Sequence, residues 1–201
     1  MKPILADLGL VTRGDERAWA VTSPDDRYRY VLGRTWDGYF DDGRDWWERD
    51  TPRPLWVFGM LNPSDARHDV DDPTIRKCTG LAKRGGAGGY LVVNMLAYST
   101  PDPAEMVRAF RSGVDVRGEH NYAVLAWALG GPTMLGLNIA AWGRIPPKLR
   151  SLARASTAQF LWSRPHCYGL TAGGEPRRPL MLAYNTPLVL LKDARRAHAV
   201  P

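Results

Sequence analysis

Four short apolar runs, each closed by polar residues, constrain the fold of this chain more than any other feature. They read "LWVFGML" from Leu55, "GYLVVNML" from Gly89, "LNIAAWG" from Leu137 and "TAQFLWS" from Thr157. Continuous apolar runs of this length are typical of strands that are buried on both faces. The segments between them carry apolar residues at helical spacing. Because parallel strands are joined by helical crossovers, this alternation predicts a parallel sheet with helices on both faces.

The predicted helices carry recognisable start and stop signals. In "DDPTIRKCTGLAKRGG", Asp72 is a candidate N-cap, Pro73 fits the first helical position and Gly85 follows the end. Asp102 is the corresponding candidate cap in "DPAEMVRAFRSG". Further helices are predicted in "EHNYAVLAWALGG", "PPKLRSLARAS" and "PLVLLKDARRAHAV".

The N-terminal part of the chain has a different pattern. "RAWAVTS" and "YRYVLGRTW" are rich in aromatic and β-branched residues and flank the turn-like "PDDR", which predicts an antiparallel hairpin. Residues 37–54 hold Gly, Pro and Asp without periodicity, as in a surface loop. The predicted fold is a three-layer α/β/α sandwich with a four-stranded parallel central sheet and an N-terminal antiparallel hairpin. Residues 1–201 form one domain, with the hairpin and loop at about 16–54 and the core at about 55–191.

Composition bounds the partners of the protein. The net charge of +6 and the pI of about 9.5 fit a polyanionic partner such as nucleic acid, and they fit ordinary solubility as well. No apolar run reaches the roughly 18 residues that a membrane span needs, and secretory features are absent at the N-terminus. We therefore expect a cytoplasmic protein with no membrane association and no obligate protein partner. Cys78 and Cys167 suit buried apolar positions better than a disulfide framework or a zinc site.

Candidate site residues lie at or after the carboxyl ends of the predicted strands, where open α/β sheets bind their ligands. They offer amides, hydroxyls, aromatic rings, an imidazole and guanidinium groups. The candidates are Met60, Asn62, Pro63, Ser64, Asn94, Tyr98, Trp142, Arg164, His166, Arg178 and Pro179. For Asn62 and Asn94 the alternative interpretation is structural, namely turn formation and capping of a strand end.

Several common catalytic and cofactor motifs are excluded by their spacing. "RGGAGGY" follows a helix and precedes a strand, which is the wrong order for a Rossmann turn. Ser64 does not lie in a GxSxG elbow. The Asp-rich "SDARHDVDD" misses the pattern of a calcium-binding EF-hand loop, so its spacing favours helix capping and loop solvation over a dedicated ion site. Asp71 or Asp72 remains an alternative contributor to the pocket. The sequence therefore predicts no metal and no organic cofactor.

The strand-end segments resemble a known family. "MLNPSDARHDVDDPTIRKC", "VVNMLAYSTPDP", "AAWG" and "GLTAGGEPRRPLML" occur in the motif order of the bacterial and phage family called domain of unknown function 1643 (DUF1643). The resemblance covers about residues 27–185. It implies membership of that family and brings no settled activity with it.

The same motif order is similar to that of the uracil-DNA glycosylase superfamily. The stretch 59–64, "GMLNPS", resembles the superfamily's Gly-(Ile/Met)-Asn-Pro-Gly, with one extra residue before Asn62 and Ser64 in place of glycine. Asn94 resembles the Asn that reads the flipped base. Trp142, followed by glycine, matches the end of the third strand.

The superfamily's His-Pro loop, which enters the DNA minor groove, has two candidate counterparts in this chain. One is His166, which follows Pro165 instead of preceding a proline, and the other is the pair Arg178-Pro179. The resemblance implies catalytic roles for Asn62 and His166 and substrate contacts for the other candidates. Arg178 would contact a phosphate, and an aromatic ring near the first motif, either Trp56 or Tyr98, would stack on the base.

The superfamily resemblance also implies a fold, a partner and a chemistry. The fold would be uracil-DNA-glycosylase-like, and the partner would be DNA, from which a base is flipped into a pocket. Asn62 would orient a water molecule toward the sugar, while the amide of Asn94 would offer a donor and an acceptor to the base edge. The implied reaction is hydrolysis of the N-glycosidic bond of a normal or modified nucleobase. The alternatives are a non-catalytic nucleic-acid-binding module and an enzyme acting on a free nucleotide or another small molecule.

Overall fold

The computed structural model describes residues 7–36, 54–130 and 136–199. Within these ranges eight strands form one sheet, accompanied by five α-helices. The strands are β1 (Val11–Gly14), β2 (Ala18–Thr22), β3 (Arg29–Thr35), β4 (Leu55–Met60), β5 (Gly89–Asn94), β6 (Asn138–Ala140), β7 (His166–Cys167) and β8 (Val189–Leu190). The helices are α1 (Pro73–Arg84), α2 (Pro103–Arg111), α3 (Asn121–Gly130), α4 (Arg150–Trp162) and α5 (Leu191–His198), with short 3₁₀ helices at Pro147–Leu149 and Pro179–Met181. None of the helices in the described ranges is long and apolar enough to span a membrane.

The sheet is mixed, with the strand order β1-β2-β3-β5-β4-β6-β7-β8. Successive pairs among β5, β4, β6 and β7 are parallel, and the remaining pairs are antiparallel. The predicted hairpin is present as β2 and β3, but β3 also pairs with β5 and so continues the central sheet. A single eight-stranded mixed sheet thus replaces the predicted four-stranded parallel sheet with an attached hairpin. Every residue of β3 is buried, and the strand covers the edge that β5 would otherwise expose.

Helices cover both faces of the sheet, as the α/β pattern of the sequence predicts. Trp56 and Phe58 of β4 share an apolar cluster with Ile75 of α1. Val57 points to the opposite face and shares a second cluster with Phe160 of α4. Because successive side chains of a strand point to opposite faces, β4 is buried between two apolar layers.

Helices α1 and α2 begin where the sequence predicts. The Asp72 carboxylate accepts a hydrogen bond from the Ile75 backbone N–H at 2.8 Å, and Pro73 is the first residue of α1. The Asp102 carboxylate accepts from the Ala104 N–H at 2.8 Å and caps α2 in the same way. Local capping chemistry therefore fixes the start of both helices. The predicted loop at residues 37–54 lies outside the described residues except for Pro54.

The predicted strand "TAQFLWS" at residues 157–163 is wrong. Its first six residues form the last part of α4, and Ser163 is the C-terminal cap. The Phe160 ring packs edge-on against the Trp142 ring with the centroids 5.8 Å apart, so the apolar residues of this segment serve a helix face. The fourth parallel strand is instead β7, which has only two residues. Arg164 and Pro165 therefore precede this strand rather than follow it.

A β-bulge interrupts the pairing of β2 and β3. Val21 pairs with Val31 and Thr22 pairs with Arg29, which leaves Tyr30 as the extra residue. Tyr30 and Val31 both pack into the cluster on the α3 and α4 face. Arg29 instead donates a hydrogen bond to the carbonyl of Ala66, a residue of the cluster on the α1 face. The bulge therefore directs the Arg29 side chain toward the loop that follows β4, a use of bulges common near binding sites.

Gly59 in β4 lies so close to α4 that it admits no side chain. A Cβ atom at this position would lie 2.6 Å from the Phe160 ring. We expect Gly59→Ala to lower the free energy of unfolding by about 1–3 kcal/mol, because an added methyl group in a packed core displaces its neighbours. Gly130→Ala is the control, since the new methyl group would meet nothing within 4 Å. Equal denaturant midpoints for both variants would contradict this packing.

Candidate functional site

Two adjoining cavities lie at the carboxyl edge of the parallel strands. The small cavity, of about 130 Å³, is lined by Met60, Leu61, Asn62, Ser64, Thr74, Thr100, Pro101, Pro103, Ala141, Arg178, Pro179 and Leu180. The large cavity, of about 730 Å³, is lined by Arg13, Ala20, Thr22, Asp26, Arg29, Ser64, Asp65, Ala66, Arg67, His68, Asp69, Ser99, Thr100 and Pro101. The two cavities meet at the three residues that line both, Ser64, Thr100 and Pro101. Five predicted site residues share the small cavity, namely Met60, Asn62, Ser64, Arg178 and Pro179.

Asn62 is held in one orientation by the backbone around it. Its Nδ2 donates to the carbonyl of Pro63 at 2.8 Å and to the carbonyl of Thr100 at 2.7 Å. The Pro63 carbonyl also accepts from the Thr100 N–H at 3.1 Å, which ties the loop after β4 to the loop after β5. Since both partners of the amide group are acceptors, the nitrogen must face them. The Oδ1 atom is left without a donor from the described residues.

Ser64 joins this loop to the start of α1. Its hydroxyl donates to the Asp72 carboxylate, whose other oxygen caps the helix. The neighbouring Asp71 accepts from the Arg34 guanidinium at 2.7 Å. Asp71 and Asp72 thus act as structural anchors of the loop, in agreement with the capping role predicted for the Asp-rich segment.

Arg178 crosses the rim of the small cavity. Its Nε lies 3.4 Å from the Trp142 carbonyl, and its side chain covers Gly143, where a Cβ atom would lie 2.7 Å from the Arg178 Cγ. Gly143 has a φ of +66°, which also favours glycine. The residue keeps contact with solvent, while partial burial lowers the pKa of its guanidinium. No carboxylate of the described residues pairs with Arg178, so its charge is available to a ligand.

Asn94 ends β5 with a fully buried side chain that has no hydrogen-bond partner among the residues that the structure describes. Both Oδ1 and Nδ2 are unpaired, and the residue is 0% exposed. In register it lies beside Met60, which lines the small cavity. The alternative role of a strand-end cap does not account for Asn94, because its amide bonds to no backbone group. Leaving a buried polar group unpaired costs about 1–3 kcal/mol, so this amide is a candidate for ligand contact.

Trp142 and Tyr98 lie in apolar packing, outside the small and the large cavity. Trp142 is 2% exposed and its ring stacks edge-on against Phe160, so only its carbonyl approaches the site. The Tyr98 ring packs edge-on against Tyr28 with the centroids 6.0 Å apart. Neither ring lines the small or the large cavity.

His166 and Arg164 are separated from the small cavity. His166 lies within β7, where it pairs with Ile139 and Leu190. Arg164 lies before β7 with a φ of +51° and lines a different cavity beside Leu191. This separation follows from the helical course of residues 157–162. Of the two counterparts considered for the His-Pro loop, Arg178-Pro179 is the one that lines the small cavity.

Arg29 is a site residue that the sequence reasoning missed. It is 5% exposed, lines the large cavity and donates through Nη1 to the Ala66 carbonyl, while its Nε has no hydrogen-bond partner in the described ranges. Desolvation lowers the pKa of Arg29 to about 10, against the opposing effect of the nearby Asp72 carboxylate. The group is therefore charged at neutral pH. In the sequence, Arg29 stands out only as a single arginine inside the aromatic run "YRYVL".

Comparison with protein-family models matches residues 29–180 to a family described as "Protein of unknown function (DUF1643)". The matched segment begins at Arg29 and ends at Leu180, so it contains every residue discussed above for the small cavity. No curated protein and no solved structure matches the chain significantly. Because the family model matches more than half of the 201 residues, the chain belongs to the DUF1643 family.

Proposed function

We propose that the protein is a DNA glycosylase-like enzyme that recognises a normal or modified nucleobase in DNA and hydrolyses its N-glycosidic bond. The observation that carries this proposal is the fixed amide of Asn62. Two backbone carbonyls hold its Nδ2, so that Oδ1 is the atom free to orient a water molecule in the small cavity. The uracil-DNA-glycosylase-like fold remains part of the proposal, supported by the order of strand-end motifs.

In the proposed reaction, the water oxygen forms a bond to the anomeric carbon while the bond from that carbon to the base nitrogen breaks. The electron pair leaves with the base, and the water loses a proton to solvent. Asn62 is neutral and a weak base, so its contribution is orientation of the nucleophile rather than strong proton abstraction. Arg178 lines the same cavity without a carboxylate partner among the described residues, and its charge would stabilise the departing base.

The size of the small cavity supports a ligand with one ring. Its volume of about 130 Å³ is close to that of an engineered cavity of about 150 Å³ that binds benzene. Asn94 lies beside Met60 in register, is fully buried and does not line the small cavity. Reading of the base by Asn94 would therefore require a local rearrangement that exposes its amide to the cavity.

Exposed apolar residues beside the small cavity support DNA as the partner. Leu180 is 43% exposed and Met181 is 84% exposed on the 3₁₀ helix that follows Arg178. Proteins that flip bases or bend DNA often insert such side chains between base steps. A free nucleotide offers no base stack for them to enter.

The proposal is tested by formation of abasic sites in oligonucleotides that carry uracil or modified pyrimidines. Single- and double-stranded substrates are incubated with the protein, and abasic sites are cleaved with alkali and counted on a denaturing gel. We expect release from at least one substrate. Binding that weakens steeply as salt rises, without release from any substrate, would favour a non-catalytic nucleic-acid-binding module. Release or turnover with free nucleotides alone would favour a small-molecule enzyme.

A further inference from the structure

We propose that the large cavity is a phosphate-binding site in which the Arg29 guanidinium holds the phosphate group of a nucleotide. The existence of an anion site follows from Arg29 itself, whereas its assignment to a nucleotide rests on the proposed function. The site lies beside the small cavity and uses no residue to which the hydrolytic reaction was assigned.

Arg29 is a buried cation without an anionic partner in the part of the chain that the structure describes. It is 5% exposed, its Nε is unpaired, and its protein hydrogen bond goes to the neutral carbonyl of Ala66. Arg34, on the same strand, is a buried arginine whose charge is paired with a carboxylate, as is usual. Its guanidinium contacts the Asp71 carboxylate through Nη2 at 2.7 Å and through Nε at 2.9 Å. A buried charge normally requires such a partner, so Arg29 is built to receive one from outside the fold.

None of the described carboxylates around the large cavity makes a direct ion pair with Arg29. Asp26 is bound by the Arg13 guanidinium at 2.8 Å, and Asp69 lies 3.4 Å from the Arg67 guanidinium. Asp65 is exposed to solvent. The Asp72 carboxylate raises the pKa of Arg29 through space, but its oxygens accept hydrogen bonds from the Ser64 hydroxyl and the Ile75 backbone N–H rather than from the Arg29 guanidinium. A ligand would supply the direct anionic contact that the described residues do not make.

The residues that line the large cavity favour a phosphate group over a small anion such as chloride. A guanidinium presents its donors in a planar fork that matches two phosphate oxygens. Ser99 lines the same cavity, and the cavity volume of about 730 Å³ exceeds what a single small anion needs. The β-bulge at Tyr30 turns Arg29 toward this wall.

The position of the large cavity indicates which part of a nucleotide it would hold. Ser64, Thr100 and Pro101 form the boundary shared with the small cavity. A base beside Asn62 would thus have its sugar near this boundary and a phosphate within reach of Arg29. The phosphate belongs either to a nucleoside monophosphate or to a phosphodiester of DNA, and the two sources share the same chemistry.

The test compares ligand binding by the wild-type protein, Arg29→Met and Arg34→Met. Thermal unfolding and isothermal titration are measured at constant ionic strength with inorganic phosphate, a pyrimidine deoxynucleoside, its 5′-monophosphate and a short single-stranded oligonucleotide. We expect phosphate to raise the Tm of the wild-type protein more than chloride does. Arg29→Met should lose this increase and bind the phosphorylated ligands at least about tenfold more weakly, the factor that roughly 1.4 kcal/mol represents.

Arg34→Met is the matched control. It leaves the partly buried Asp71 without its arginine partner, so its Tm without phosphate should fall, while the additional increase caused by phosphate should persist. Arg29→Met removes an unpaired buried charge, and its Tm without phosphate should equal or exceed that of the wild-type protein. Arg29→Lys keeps the positive charge but lacks the planar guanidinium that can bind two phosphate oxygens. We expect this variant to bind phosphate with an affinity between those of the wild-type protein and Arg29→Met.

Two results would overturn the phosphate site. One is a wild-type Tm that responds to phosphate no more than to chloride, and the other is unchanged affinity of the Arg29 variants for phosphorylated ligands. Arg29-dependent binding of the monophosphate identifies a nucleotide ligand, and such binding by the oligonucleotide alone identifies a DNA phosphodiester. Binding that depends on Arg29 without any base release would retain the phosphate site and reject the glycosylase reaction. Base release that is unchanged in the Arg29 variants would retain the glycosylase reaction and reject the phosphate site.

Discussion

Asn62→Ala is expected to slow base release by about 10²-fold or more, the cost that misplacement of a reacting group produces. The reason is the single orientation of its amide. The carbonyls of Pro63 and Thr100 hold Nδ2 at 2.8 and 2.7 Å, so Oδ1 is fixed without any bound ligand. Alanine removes the acceptor that orients the water. Single-turnover kinetics on a substrate oligonucleotide measure the effect.

The Asn62→Ala substitution should also lower the free energy of unfolding, by a modest amount. Two hydrogen bonds to backbone carbonyls disappear, and each contributes about 0.5–1.5 kcal/mol to the free energy of unfolding. Circular dichroism should therefore show a folded protein with a lower denaturation midpoint. Asn185→Ala removes an exposed amide that lines neither cavity and serves as the control. Equal rates for the two variants would remove Asn62 from the mechanism.

Asn94→Leu is expected to stabilise the fold while damaging recognition of the base. Both polar atoms of this side chain are buried without a partner, so an apolar residue of similar size removes an unpaired amide. We expect the free energy of unfolding to rise by about 1–3 kcal/mol. Discrimination between bases should fall by about 10- to 100-fold, which corresponds to the roughly 1–3 kcal/mol of a bidentate contact to a base.

Asn121→Leu provides the contrast for Asn94. The Asn121 Nδ2 donates to the Asn94 carbonyl at 3.0 Å and to the Met95 carbonyl at 3.2 Å, and its side chain is equally buried. Its replacement should lower the free energy of unfolding, because two backbone carbonyls lose their donor. Urea denaturation of both variants gives the comparison. If Asn94→Leu lost as much stability as Asn121→Leu, the amide of Asn94 would have a structural role instead of a recognition role.

Features with local causes were predictable from the sequence. The caps Asp72 and Asp102 and the prolines that follow them placed the starts of α1 and α2. The buried strands β4 and β5 follow directly from continuous apolar runs. The loop after β4 was predicted as a site because parallel strands end at one edge of the sheet. In the structure this loop carries Asn62 and Ser64 into the small cavity.

Features with long-range causes were not predictable. The segment at 157–162 has the composition of a strand, yet the packing of Phe160 against Gly59 and Trp142 makes it a helix face. A strand of two residues such as β7 leaves no periodicity to detect. Arg29 escaped notice because its direction depends on a bulge in the pairing of β2 and β3, which no local pattern reveals.

In the proposed mechanism, Asn62 orients a water molecule for attack on a nucleoside held in the small cavity. The most direct measurement is release of free base from an oligonucleotide that the protein binds. We expect abasic product to be formed by the wild-type protein and by Asn185→Ala but to be nearly absent with Asn62→Ala. Absence of base release from every modified DNA that the wild-type protein binds would contradict this mechanism.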